Sequence, residues 1–432
     1  MFVRNTIIGM LAYALTTLLN MAIYVVVARG LGPEGTGAVA LLTLFGVTVS
    51  LVINLGLGQS AIYYIGQRAY EAKAVAGNLF TMALLIGIPA TIVLAVAQPL
   101  YGPRLLASIP APYVFAMAML TTFALARMYA EYMFAAVHDF VWNAGLNIVD
   151  LSLRLVLLLV LLPMGTGLRG AVIALIAGTV VSTAIGWEVI RRRVGGIRTA
   201  LDRTLVRRFS SFGMMSYAAV FTTYLNLRFD QFLVGFFLTL DQVGIYSIAV
   251  ILAEVAMKFA NVVAKVLFAN VSSLDAVSAT QLTGRTMRAT MAFALISVLG
   301  LAVLGPWLIR LFFGEAFMGA SSALRLLLPG TLLFNITQVL YSDLSGRGLP
   351  QVGIYASVAS LVVTLIGNFW LTPRMGVNGA ALTSSIAYAV GAILILSIYL
   401  RTTGEKMRQV LVVSRDDLRL VGGLMRRLAS AS

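Results

Sequence analysis

The sequence predicts an all-α polytopic membrane protein with about twelve transmembrane helices in two parallel six-helix lobes. Three observations lead there. Hydrophobic residues make up 60% of the 432 positions and charged ones only 11%, against ~25% charged in a soluble domain. Apolar runs long enough to cross a bilayer recur from one end to the other. The chain also repeats itself. Leu31-Gly-Pro-Glu-Gly-Thr-Gly37 and Leu238-Thr-Leu-Asp-Gln-Val-Gly244 both read Leu-x-x-acid-x-x-Gly, at an offset of 207 (31 against 238). Gly167-Leu-Arg-Gly-Ala171 and Gly376-Val-Asn-Gly-Ala380 recur at 209 (167 against 376), and Pro163 and Pro373 at 210.

The first apolar run, residues 6–28, would span ~35 Å as a helix, more than a bilayer core of ~30 Å. It has one early cation, Arg4, and no small-residue cleavage site, so it is expected to remain as the first span. Further spans are expected at 37–58, 79–98, 113–136, 144–163, 169–190, 212–236, 243–267, 288–312, 320–343, 353–372 and 377–400. The run at 320–343 is interrupted by Pro329 and Gly330. Loops are short, and none could fold as a separate domain. The division is an N-terminal lobe at 1–190, a basic linker at 191–210, a C-terminal lobe at 211–400 and a basic tail at 401–432.

Basic residues set the orientation. With the N-terminus inside, the inner segments hold Arg4, Arg68, Lys73, Arg285, Arg288 and Arg347. They also hold the linker's Arg191, Arg192, Arg193, Arg198, Arg203, Arg207 and Arg208, and the tail's Arg401, Lys406, Arg408, Arg415, Arg419, Arg426 and Arg427. That is 20 of the 31 basic residues, which places both termini in the cytoplasm and the protein in the cytoplasmic membrane. Each half starts and ends inside, so the two copies share an orientation, with a substrate site expected between them. The net charge of +15 thus reads as attraction to anionic lipid heads and not to nucleic acid. Ile197, Leu201, Leu205 and Phe209 in the linker, and Met407, Leu411, Leu418, Val421, Met425 and Leu428 in the tail, suggest amphipathic helices on the inner leaflet.

Several chemistries are excluded. There is no cysteine, hence no disulfide, thiolate metal site or cysteine nucleophile. His138 is the one histidine, which leaves no histidine zinc site and no credible serine–histidine–acid set. Gly30-Leu-Gly-Pro-Glu-Gly35 matches the dinucleotide pattern, but it follows a span and not a strand, and it lacks the acid ~20 residues on. A tight turn accounts for it better. No Walker-type loop is present, and no cofactor is expected.

The intramembrane charges carry the functional argument. Arg127 and Glu131, Asp150 and Arg154, and Glu254 and Lys258 each stand four apart, on one helical face where they can neutralise each other. With Arg228, Asp230 and Lys265 they are many charges to bury for packing alone, and they point to a water-filled cavity between the lobes. Arg228 and Asp230 lie about 200° apart around their helix, so they should face different neighbours. Arg127, Arg154, Arg228, Lys258 and Lys265 are the candidate substrate-binding cations, the guanidinium groups able to grip phosphate oxygens bidentately. Asp230, Glu254, Glu131 and Asp150 are the candidate ion-coupling acids. Asn20, Asn143, Asn147, Asn226 and Asn261 could hydrogen-bond a sugar or glue helices together.

These residues resemble a known family. Arg4-Asn-Thr, Arg29-Gly-Leu-Gly-Pro-Glu-Gly-Thr-Gly37, Asn54-Leu-Gly-Leu-Gly58, Arg228-Phe-Asp230 and Val243-Gly-Ile-Tyr-Ser247 are similar to stretches of the oligosaccharide flippases. Those form the polysaccharide-export branch of the superfamily that also holds multidrug-and-toxin exporters and lipid II flippases. The resemblance implies two six-helix lobes in a V (a MATE-like fold), alternating access, and export of sugars on a polyprenyl diphosphate. It also carries Arg228 and Asp230 over as the charged positions of the seventh span. Implied partners are the lipid-linked oligosaccharide, membrane lipids, H+ or Na+ as coupling ion, and other polysaccharide-assembly proteins. The alternatives are a cation-coupled multidrug exporter, a lipid II flippase, or a membrane glycan polymerase or glycosyltransferase. An enzyme of that last kind usually needs a large outer loop or clustered acids, and neither is evident.

Overall fold

The computed structural model describes residues 2–106, 109–197, 201–272 and 274–411. These are helical almost throughout: α1 (Phe2–Ile53), α2 (Leu57–Gly66), α3 (Ala72–Leu105), α4 (Ala111–Ala136), α5 (Phe140–Leu161), α6 (Gly167–Arg193) and α7 (Arg203–Phe237). Then follow α8 (Leu240–Val271), α9 (Ala276–Phe312), a 3-10 turn at Glu315–Phe317, α10 (Ala320–Gly346), α11 (Gln351–Met375), α12 (Val377–Thr403) and α13 (Met407–Leu411). Ten helical stretches among the described residues are long and apolar enough to cross a membrane. The chain is a multi-pass, all-helical membrane protein.

The helices group into two compact units. The first takes the chain to Tyr224, together with Val234–Ile245 and Phe312–Ala316; the second takes Leu225–Leu233, Tyr246–Leu311 and the chain from Phe317.

In the first unit α4 packs on α3 and α6, and α5 lies between α1 and α6. The core is made by Leu125, Tyr129, Met133 and Phe134 of α4 against Leu57, Leu79 and Leu146. The turn expected at 31–37 is a kink inside α1, where Gly32 has φ 65° and Pro33 follows. Its two glycine-bearing copies meet within this unit. A Cβ on Gly37 would overlap the carbonyl oxygen of Leu240, and one on Gly244 would overlap that of Pro33.

The linker's apolar stripe, expected to face lipid, packs largely against protein. Asp202 caps α7 by accepting from the N–H groups of Thr204 and Leu205 at 2.8 and 3.1 Å. The helix that follows turns Leu205 and Phe209 into the core. Ser60 Oγ donates to the Phe209 carbonyl at 2.6 Å, and Tyr64 stacks on the Phe209 ring at 5.0 Å. Ile197 packs against the same core, and Leu201 alone of the four stripe residues stays exposed. The tail stripe beyond Leu411 lies outside the described residues; before it, Met407 is exposed and Val410 is buried.

In the second unit α12 packs along α10 and α11. Its small residues Gly379, Ala380, Ala381, Ser384, Ser385 and Gly391 let backbones approach closely. The interruption at Pro329-Gly330 is bridged by α12, so α10 runs through it. Ser385 Oγ accepts from Gly330 N–H at 3.2 Å and donates to the Leu326 carbonyl, filling groups a proline leaves open. Near the other end of α10, Arg347 donates to fully buried Asp343 at 2.6 Å, and Thr283 of α9 joins it at 2.7 Å.

Candidate functional site

The first unit brings Arg127, Glu131, Asp150 and Arg154 together. On α4, Arg127 Nη2 meets Glu131 Oε1 at 2.9 Å; on α5, Arg154 Nε meets Asp150 Oδ1 at 2.7 Å. Both pairs have the i,i+4 spacing read from the sequence. Packing then fuses them, because Arg127 Nη1 reaches Asp150 Oδ2 at 2.5 Å. Asp150 is 6% exposed and serves two arginines. Two cations and two acids make the network neutral.

Small polar residues complete it. Arg127 Nη2 also donates to Asn147 Oδ1 at 2.7 Å, its Nη1 to Ser182 Oγ at 3.2 Å, and its Nε to Glu131. Those contacts engage all five N–H groups a guanidinium has. Arg154 spends fewer: Nε goes to Asp150 and one Nη2 hydrogen to Thr179 Oγ1 at 3.1 Å, which leaves three. Gly178 of α6 makes room for this, since a Cβ there would overlap Asp150 Oδ1 and lie 2.9 Å from Arg154 Nε. Thr179, Ser182 and Gly178 carry no charge signal in the sequence, and only the approach of α6 reveals them.

The network lines a cavity of 290 Å³ with Thr43, Ser50, Thr121 and otherwise apolar side chains. A second cavity of 70 Å³, lined by Asn20, Tyr24 and Thr36 among apolar neighbours, shares Arg154, Thr43 and Leu175 with it.

The second unit holds the remaining candidates, and Arg228 and Asp230 do face different neighbours. Asp230 is 2% exposed. Its carboxylate accepts from Tyr246 Oη at 2.5 Å, Ser384 Oγ at 2.9 Å and the Gln231 N–H at 2.7 Å. Arg228 instead meets Glu254 of α8 at 2.8 Å. That bridge between helices is not visible in the Glu254–Lys258 spacing. Lys258 is half-buried, whereas Lys265, expected inside, is exposed on α8. Tyr246 entered the sequence reading only as part of the stretch Val243–Ser247, with no tie to Asp230, and Ser384, 154 positions from Asp230, did not enter it at all.

Comparison with known proteins agrees with this architecture. A polysaccharide biosynthesis protein family model matches residues 2–274. The "Probable low-salt glycan biosynthesis flippase Agl15" of Haloferax volcanii is 26% identical over 53% of this chain, and the match spans about half (49%) of that relative's length. The "Putative O-antigen transporter" of Shigella flexneri is 21% identical over 92% of this chain and 98% of its own. Among solved structures, the lipid II flippase MurJ in an inward closed conformation superposes with a TM-score of 0.78 at 13% identity, covering 98% of this chain and 93% of MurJ. An inward-facing MATE family multidrug transporter gives 0.75 at 18%, covering 92% and 98%. The fold is therefore that of the MATE and MurJ transporters, and the family match over well over half of the chain identifies it as a member of the polysaccharide biosynthesis protein family.

Proposed function

We propose that the protein is a flippase that carries a polyprenyl-diphosphate-linked oligosaccharide across the cytoplasmic membrane by alternating access, for cell-surface polysaccharide synthesis. One observation carries this reading. Arg154 stands at a cavity wall with three N–H donors uncommitted, held by Asp150 in a network that is neutral as a whole. A phosphate oxygen pair fits a guanidinium fork. Neutral hydroxyls at Thr43, Ser50 and Thr121 suit sugar. Arg127, with its donors spent, positions Asp150 and through it Arg154.

The helices support the twelve-span count. Ala14–Ile53 is 40 residues, about 60 Å as a straight helix and twice a bilayer core of ~30 Å, so it counts as two crossings that turn at Gly32-Pro33. With α7 included the total is twelve, as two parallel six-helix lobes require, with both termini cytoplasmic. Transfer against a gradient would be coupled to H+ or Na+ through Asp230 or Glu254, with Glu131 and Asp150 as structural partners. Arg228 and Lys258 would hold the second unit's share of substrate charge. Such a transporter performs no covalent chemistry of its own.

The decisive test is leaflet transfer of a lipid-linked oligosaccharide by reconstituted protein, with native mass spectrometry of the lipid that co-purifies. Wild type should transfer and carry a diphosphate-linked sugar, and Arg154→Ala should do neither while remaining folded. Equal transfer by Arg154→Ala would sink the reading.

A further inference from the structure

Arg154 faces two cavities, and they differ in charge. The larger is lined by Arg127 and Arg154 together with Glu131 and Asp150, so its walls sum to zero. The smaller has Arg154 as the one charged side chain among its lining residues. An oxyanion would therefore be held more strongly in the smaller space. The two adjoin at Arg154 and are displaced along the helices. On α5, Asp150 lines only the larger cavity, and Leu151 and Leu158 line only the smaller. Helix α1 agrees, with Ser50 on the larger and Thr36 on the smaller.

Size and polarity narrow the occupant. The space is the smaller of the two, 70 Å³ against 290 Å³. It suits one small oxyanion group, and the larger cavity suits the sugars. Asn20 places on the wall an amide able to donate to an oxyanion. Asn20 Nδ2 spends one hydrogen on the Thr16 carbonyl at 2.9 Å and keeps the other. Thr36 Oγ1 donates to the Gly32 carbonyl at 2.7 Å, so it offers only acceptor capacity and packs as wall.

We propose that the small cavity is a second oxyanion subsite that takes a single phosphate group, with Arg154 as the donor shared between it and the larger cavity. The phosphate is lipid-borne or free; the recognition chemistry is the same. Swinging one guanidinium between two adjoining spaces would pass a phosphate from the neutral side to the cationic side without breaking the Asp150 tether. The inference rests on the reading of Arg154 as the phosphate ligand and adds where that phosphate goes next.

The test fills the small cavity and leaves every charge in place. Ala174→Leu and Ala40→Leu each line the small cavity and not the large one, from α6 and α1 respectively. Ala174 is tightly buried and Ala40 only half-buried, so the second variant keeps the test alive if the first fails to fold. The full chain in nanodiscs is titrated with inorganic phosphate by calorimetry, then assayed for polyprenyl-diphosphate binding and leaflet transfer. Wild type should bind inorganic phosphate, and each folded filling variant should bind it about tenfold more weakly, the loss expected for a charge-assisted contact. Binding of polyprenyl diphosphate through the large cavity should persist. Slowed transfer in the filling variants identifies the phosphate as the substrate's own; unchanged transfer with lost phosphate binding identifies it as free phosphate. Either supports the subsite. Absence of phosphate binding in wild type, or unchanged binding in a folded filling variant, overturns it. Neither result touches the flippase reading, which fails instead if Arg154→Ala transfers lipid normally.

Discussion

Gly37 and Gly244 stand backbone to backbone, 207 positions apart (37 against 244), at matching places in the two copies of the repeated turn. Neither can carry a side chain. The atoms a Cβ would strike are main-chain carbonyls of Leu240 and Pro33, which cannot rotate aside as a side chain would. Sequence repetition has here become a physical contact between the repeated elements, and it explains why both copies end in glycine.

Gly37→Ala and Gly244→Ala should each destabilise the protein by about 1–3 kcal/mol through overpacking. Gly300 of α9 is the control, because nothing lies within 4 Å of its Cβ position. Gly300→Ala should be neutral, or stabilising by up to about 1 kcal/mol through helix preference. Thermal unfolding in detergent measures all three, and equal loss at Gly300 would remove the contact argument.

Arg127 and Arg154 should separate in kind. Arg127→Ala strips Glu131 and Asp150 of a buried partner and should cost about 3–5 kcal/mol of stability. Arg154→Ala leaves Asp150 paired with Arg127, so it should unfold close to wild type and yet lose transfer. Gly178→Ala, which presses on Asp150 and Arg154 without altering charge, should reduce transfer with a smaller stability cost. Identical stability profiles for the two arginine variants would contradict the donor accounting.

Arg228→Ala should impair export more than folding, because the partly exposed bridge to Glu254 contributes little stability while a guanidinium–phosphate contact is worth roughly 1.5–3 kcal/mol per hydrogen bond. Lysine should rescue only in part, since it keeps the charge and loses the fork. The readouts are membrane insertion and leaflet transfer measured on the same preparations.

Asp230 and its donors give a matched pair of expectations. Tyr246→Phe removes one of three hydrogen bonds to the carboxylate and should cost about 1.5–3 kcal/mol. If Asp230 or Glu254 carries the coupling proton, Asp230→Asn or Glu254→Gln should abolish the pH dependence of transfer while substrate binding persists. Transfer indifferent to collapse of both proton and sodium gradients would assign these acids a structural part only.

Reporter fusions check orientation. Gly195 and the segment after Arg401 should read cytoplasmic, and positions near Gly102 and Arg374 external. An external reading at Gly195 would overturn the arrangement of both halves.

Much of the architecture was legible in the sequence because it depends on composition and local spacing. Long apolar runs require helices in lipid, where every backbone group must be satisfied within its own segment. The i,i+4 pairs Arg127–Glu131 and Asp150–Arg154 were legible for the same reason, since a helix alone puts those atoms together. So was the separation of Arg228 from Asp230 around α7. The same spacing joins Asp343 and Arg347 at the end of α10, a pair the sequence reading passed over by counting Arg347 only toward orientation.

What tertiary structure decided is everything that one helix contributes to another. Periodicity places Leu205 and Phe209 on an apolar face, but whether that face meets lipid or protein depends on α2 lying beside it. The bond from Arg127 to Asp150, the hydroxyls of Thr179 and Ser182, the Tyr246–Ser384 grip on Asp230, and the bridge from Arg228 to Glu254 all cross between helices. The sequence by itself marked Arg127, Asp150, Arg154 and Asp230 as charges inside the helices, although it missed Asp343 and counted Lys265, which is exposed. Only packing determined that Arg127 spends its donors while Arg154 keeps three, because the count of filled hydrogen bonds is a property of neighbours and not of spacing.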